Sequence, residues 1–287
     1  MRIPEAAIDY CVNQSRQNNS TFHPAFWFLP DAQGKALHVL YYFCRLVDDA
    51  VDDTPGEQEA RRKLAHLEGG LRGDCAGKLW DAFGWVLERF EIPRKYPADL
   101  IKGARTDIGS VRLQTVEELD EYCYRVAGTV GFMTLHIFGA PVESIEKPAL
   151  SLARAYQYTN IIRDVDEDRQ LDRCYIPQRL LKDAGALEHW KNRESSLELK
   201  TVLKKLALRA KTEYLRGVKV LGYVSWRQRL TLALMTSAYS GYLKAIEKSG
   251  FDVWNYRPKY SKLDLLLLLF KTVQGTIFSP RKCLLTF

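Results

Sequence analysis

The chain has 287 residues, 46% of them hydrophobic and 27% charged, with a formal net charge of +7. That mixture excludes a disordered chain and a membrane channel, and the length is enough to bury a large core. The positive balance suits a partner dense in negative charge, whether nucleic acid, lipid headgroup or phosphorylated substrate. Cys11, Cys44, Cys75, Cys123, Cys174 and Cys283 show no CxxC or zinc-ligand spacing and read as reduced thiols. Without a signal-like opening, or an apolar run of the ~18 residues needed to span a bilayer, the expected location is cytoplasmic or peripheral to the membrane.

In chain order, Pro30 and Asp31 predict the start of a helix over 32–53, which stops at Asp53-Thr54-Pro55-Gly56. The three- and four-residue spacing of apolar positions predicts further helices over 58–70, 76–91, 97–109, 116–138, 144–168, 177–184, 196–221 and 225–249. Strand-like alternation is nearly absent, so the predicted fold class is all-α. With no repeat and no Gly/Ser linker, a single domain over 1–287 is expected. The run Leu263 to Phe270 reads either as a last element packed on the body or as a membrane-touching tail within 263–287, beside Lys259, Lys262, Lys271, Arg281 and Lys282.

Two segments carry acidic pairs. Asp48 and Asp52 lie one turn apart, roughly 6 Å of rise, on a helix otherwise apolar along that face. Gln157, Asn160, Asp164 and Asp168 follow i, i+3, i+7, i+11 spacing, which puts all four on one stripe of a second helix. Each pair alone fits a solvated acidic face. Two such stripes facing each other form an oxygen cage suited to Mg²⁺, and such a stripe is costly to bury unless it binds something. Gly128 and Gly131 fit no phosphate-loop pattern and would each cost a helix roughly 1 kcal/mol relative to Ala. They serve a bend, the approach of a ligand to the backbone, or close packing of two helices.

At these motifs the chain resembles the squalene and phytoene synthase family, the head-to-head isoprenyl diphosphate synthases, over nearly its full length. The resemblance rests on Asn19 to Pro30, Tyr41 to Asp52, Tyr122 to Gly131, Gln157 to Asp168 and Arg173 to Pro177. It implies an isoprenoid-synthase-like helical bundle with a central cavity. Asp48, Asp52, Asp164 and Asp168 become Mg²⁺-binding carboxylates assisted by Gln157 and Asn160. Arg45, Arg163 and Arg173 become diphosphate clamps, unless they are structural partners of nearby acids. Tyr41, Tyr122 and Tyr175 fall near the diphosphates. Thr21 keeps the hydroxyl of a family serine that is lost at Asn19, and Asp166 is an extra acid without an assigned role. Phe22 and Phe26, with Trp27 and Phe28, form the aromatic wall of a prenyl-tail pocket, and their bulk favours farnesyl over geranylgeranyl diphosphate. The implied reaction is condensation of two farnesyl diphosphates to presqualene diphosphate, with onward conversion to squalene or dehydrosqualene left open and phytoene formation from geranylgeranyl diphosphate as the alternative. NADPH use has no motif behind it. The competing classes are a non-catalytic assembly protein on the same fold and a nucleic-acid binder, and no nucleic-acid-binding motif accompanies the charge.

Overall fold

In a computed structural model, residues 3–17, 23–261, 263–264, 267–270 and 272–273 are described. The helices are α1 (Glu5–Gln17), α2 (His23–Phe26), α3 (Asp31–Asp52), α4 (Glu57–Arg72), α5 (Lys78–Arg89), α6 (Lys95–Arg105) and α7 (Val116–Cys123). They continue with α8 (Thr129–Ile137), α9 (Val142–Arg163), α10 (Val165–Gln170), α11 (Gln178–Asp183), α12 (Leu187–Lys191), α13 (Leu197–Gly217) and α14 (Trp226–Lys248). The all-α expectation holds. A parallel pair of two-residue strands, β1 (Val111–Arg112) and β2 (Arg173–Cys174), is the strand structure among the described residues.

Local chemistry sets most boundaries. Asp31 opens α3 where its charge complements the helix dipole. The Thr115 and Ser196 hydroxyls accept backbone N–H groups at the starts of α7 and α13, and Ser225 with Gln228 forms a reciprocal cap on α14. Gly73 ends α4 in the left-handed region, φ 95°, which suits glycine. α1 has no counterpart among the predicted helices, although Ala7, Ile8, Cys11, Val12 and Ser15 form a helical stripe that it buries.

Two long predicted helices are interrupted. The one expected over 116–138 contains a π-helical turn at Tyr124–Gly128 between α7 and α8. The one expected over 144–168 starts in a kink at Ile145, three residues before Pro148, and breaks again at Asp164 (φ −104°, ψ 16°). The end of the segment expected over 196–221 tightens into a 3₁₀-helix over Val218–Tyr223.

Two apolar cores result. One is built largely on α1, α3, α5, α6 and α8, around the stacked rings of Phe43 and Phe83, 4.2 Å apart. The other gathers α7, α9, α13 and the end of α14 around Tyr158, Leu203, Leu206 and Tyr214. A cavity of about 710 Å³ is lined from both. Among the described residues no helix is long and apolar enough to cross a membrane.

Candidate functional site

The cavity takes its polarity from α3 and α9, which are graded in the same direction. Leu37 and Leu40 line it from the early part of α3, and Asp48 and Asp52 from its last turn, roughly 22 Å of helix from Leu37 to Asp52. Ala149, Leu152 and Ala153 line it from α9, followed by Tyr156, Gln157, Asn160 and then Asp164 at the C-terminal cap. One end of the cavity is therefore apolar and the other acidic. Asp168 joins from α10, so the break at Asp164 does not remove it from the predicted stripe.

Carboxylates at helix C-termini face the negative end of the dipole, and the last turn of α3 offers no basic residue. Their electrostatics follow. Asp48 opens onto the cavity yet has protein around it on most sides. Burial pushes its carboxyl up to about 7, opposed by Arg45 and reinforced by Asp52, Asp49 and Asp107. Asp168 rises to about 8, mainly from burial and then from Asp164 beside it.

The arginines answer this charge. Arg163 binds Asp164 through two hydrogen bonds of 2.8 and 2.6 Å, with its guanidinium over the Tyr242 ring. Arg173, buried, donates to Asp52 at 2.7 Å across 121 residues of sequence. Arg45 pairs with Asp49, one turn on. All three arginines line the cavity while serving as ion-pair partners of nearby acids.

Further groups take part that the sequence reading did not single out. Asp107, just beyond α6, accepts hydrogen bonds from the Tyr122 hydroxyl at 3.1 Å and the Tyr175 hydroxyl at 2.8 Å, and these two rings stack 4.7 Å apart. Burial raises Asp107 to about 7, against the pull of Tyr175, Arg173 and Tyr122. Arg257, beyond α14, reaches back to Asp164 at 2.9 and 3.2 Å and to Glu167, and lines the cavity with them. An isolated Asp after a helix and an Arg in an irregular Tyr-Arg-Pro segment carry no periodic signal. Tertiary proximity alone reveals them.

The predicted residues distribute as follows. Phe26, Tyr41, Arg45, Asp48, Asp52, Tyr122, Gln157, Asn160, Arg163, Asp164, Asp168, Arg173 and Tyr175 all line the one cavity. Thr21 and Phe22 lie outside the described residues. Trp27 does not belong to the wall: it is 74% exposed, and Phe28 is also absent from the lining. Asp166 turns to Arg193, which binds it at 2.8 and 3.1 Å and holds its carboxyl below the usual range, away from the cavity. Gly131 faces the cavity, whereas a Cβ on Gly128 would come within 3.1 Å of Leu150 on α9.

Among the described residues no three His, Cys, Asp or Glu side chains converge to hold an ion by themselves. The donor set instead suits Mg²⁺, which takes one or two carboxylates and completes its shell with waters and phosphate oxygens. Asn160 Oδ1, Arg45 Nε and Arg173 Nε are buried without a hydrogen-bond partner among the described residues, leaving one acceptor and two donors for a polar ligand.

Known proteins resemble this chain in sequence and in fold. A phytoene synthase of Thermus thermophilus is 35% identical over 268 residues, covering 93% of this chain and 92% of its own. A presqualene diphosphate synthase of Zymomonas mobilis is 30% identical over 272 residues, covering 93% and 94%. The crystal structure of a dehydrosqualene synthase in complex with ligand superposes with a TM-score of 0.86 at 27% identity, over 95% of this chain and 97% of the other. The squalene/phytoene synthase family model matches residues 15–264. The chain therefore belongs to the squalene/phytoene synthase family, prenyltransferases that condense prenyl diphosphates head to head.

Proposed function

We propose that the chain condenses two farnesyl diphosphates to presqualene diphosphate, with Mg²⁺ held between Asp48 and Asp52 on one side and Asp164 and Asp168 on the other. The observation that carries this reading is the graded cavity, which offers carboxylates and guanidiniums at one end and an apolar tunnel at the other. Bound Mg²⁺ supplies the charge neutralisation that lets a primary allylic diphosphate leave. Arg45, Arg163 and Arg173 donate to the diphosphate oxygens, most strongly as negative charge gathers on the departing group. The C–O bond breaks with its electrons going to the diphosphate. The double bond of the second substrate then attacks the allylic carbon, and closing the cyclopropane releases one proton, which the departed diphosphate can accept. Leu37, Leu40, Leu135 and Leu232 keep water from the cation, and the aromatic side chains of Tyr41 and Tyr156 line the same space. Tyr122 and Tyr175 are held in place by Asp107.

The choice of C15 substrate rests on Phe26, the one described aromatic of the 22–28 segment on the cavity wall, and on likeness to the Zymomonas presqualene diphosphate synthase. Likeness to the Thermus phytoene synthase favours the second reading, C20 geranylgeranyl diphosphate. Incubating the purified protein and Mg²⁺ with each diphosphate, with and without NADPH, and identifying products by mass spectrometry separates them. A C30 cyclopropyl diphosphate supports the first reading. C40 product alone sinks it.

A further inference from the structure

The apolar end of the cavity lies behind a surface with its own chemistry. Three bonds draw α2, the start of α3, the 3₁₀-helix and the first turns of α14 together at this end of the bundle. Thr231 Oγ1 donates to the Ala25 carbonyl at 2.9 Å, Gln228 to Gln33 at 3.1 Å, and Arg229 to the Leu221 carbonyl at 2.8 Å. The segments so joined carry Trp27, Tyr223 and Trp226, which are 74%, 53% and 64% exposed. None of the three lines the cavity, but Phe26, Val220 and Thr231 do, one to five residues away in sequence. Lys219 and Arg227 are exposed in the same segments, with the Arg227 guanidinium 5.1 Å from the centre of the Trp226 ring.

Rings of this kind, apolar in body with a polar N–H or O–H at the edge, favour the boundary between lipid headgroups and acyl chains, and cations beside them favour anionic headgroups. We infer that Trp27, Tyr223 and Trp226, with Lys219 and Arg227, form a docking face for an anionic lipid bilayer at the apolar end of the cavity. This inference rests on the proposed reaction to the extent that such a product is sparingly soluble in water. At this face the product sits within about a side-chain layer of lipid. The stripe Leu263, Leu267 and Phe270, exposed at i, i+4 and i+7, is the competing apolar surface.

Vesicles of phosphatidylcholine, alone or with phosphatidylglycerol, test the face without any substrate, so the outcome is independent of the reaction assigned. The full chain is sedimented with each vesicle and compared with Trp27→Ser/Trp226→Ser and with Leu267→Ser/Phe270→Ser. The double tryptophan variant is expected to bind phosphatidylglycerol vesicles about tenfold more weakly, while its turnover in detergent stays unchanged, which reports an intact fold. In the unsubstituted chain, bromine-labelled acyl chains should quench tryptophan fluorescence, and most of that quenching should vanish in the variant. Equal sedimentation of the variant and the unsubstituted chain overturns the inference. So does loss of binding only on changing Leu267 and Phe270, or a change in molecular mass in solution in place of a change in vesicle binding.

Discussion

Asp107 binds two phenols at once, and that divides labour among the acids of the cavity. Asp48, Asp52, Asp164 and Asp168 face space or arginine, whereas Asp107 is occupied by Tyr122 and Tyr175. Replacing Asp48 or Asp164 with Asn should therefore leave the circular dichroism spectrum unchanged and cut turnover by at least about 10²-fold, the scale of losing one strong electrostatic contact to a developing charge. Full activity in either variant would remove the two-motif mechanism. Asp107→Ala should slow turnover by a similar order through misplaced tyrosines, and Asp107→Asn should recover part of it, because an amide oxygen still accepts one hydroxyl. Phe26 offers a different test. It is nearly buried and lies on the cavity wall, so Phe26→Ala should lengthen the tunnel and raise the share of C20 substrate consumed in a mixed-substrate assay, at a stability cost of about 3–5 kcal/mol. An unchanged substrate ratio in the folded variant would mean that this ring does not set chain length.

Elements are positioned by what is missing as much as by what is present. At the end of α13, a Cβ on Gly217 would sit 2.6 Å from the backbone N and Cα of Leu152 on α9. Backbone cannot give way as a flexible side chain can. Gly217→Ala should therefore push the two helices apart, costing about 1–3 kcal/mol and lowering the melting temperature by several degrees. Gly131→Ala meets only Ala153, at 3.8 Å, and should leave stability within about 0.5 kcal/mol while narrowing the cavity. Gly128 and Gly131 show where the sequence was legible. Their spacing signalled a need for room, but periodicity cannot separate a ligand wall from a helix contact, and the two turned out to have one role each. The long helices α3 and α14 were readable to within a residue or two because their apolar stripes repeat often enough to be distinctive, whereas α9 and α13 stop short of the ends that their apolar spacing predicts. The π-helical turn at Tyr124–Gly128 was not, because one extra residue in a turn leaves the apolar spacing almost intact. Nor was the β1–β2 pair, since two residues are too few to alternate. Arg257 shows the same limit at a distance: its partner Asp164 stands 93 residues away.

As a whole the molecule stands on two apolar cores, with a cavity lined from both that is acidic at one end. Stability and chemistry should respond separately to metal. Removing divalent ions with a chelator is expected to abolish turnover while leaving the melting temperature of the substrate-free protein unchanged within about a degree. A large fall in melting temperature would instead assign the metal a structural role. The β1–β2 clasp bears on how the molecule comes to exist at all. It joins Val111 to Arg173, and Arg173 in turn reaches Asp52, so the acidic end of the cavity closes only when chain stretches more than 60 and 120 residues apart have met. Helices form from neighbours, in microseconds or less, whereas such long closures must first overcome loop entropy. A refolding population will therefore regain most of its far-ultraviolet signal before it regains activity. On a newly made chain the acidic end of the cavity therefore stays unassembled until β2 has left the ribosome.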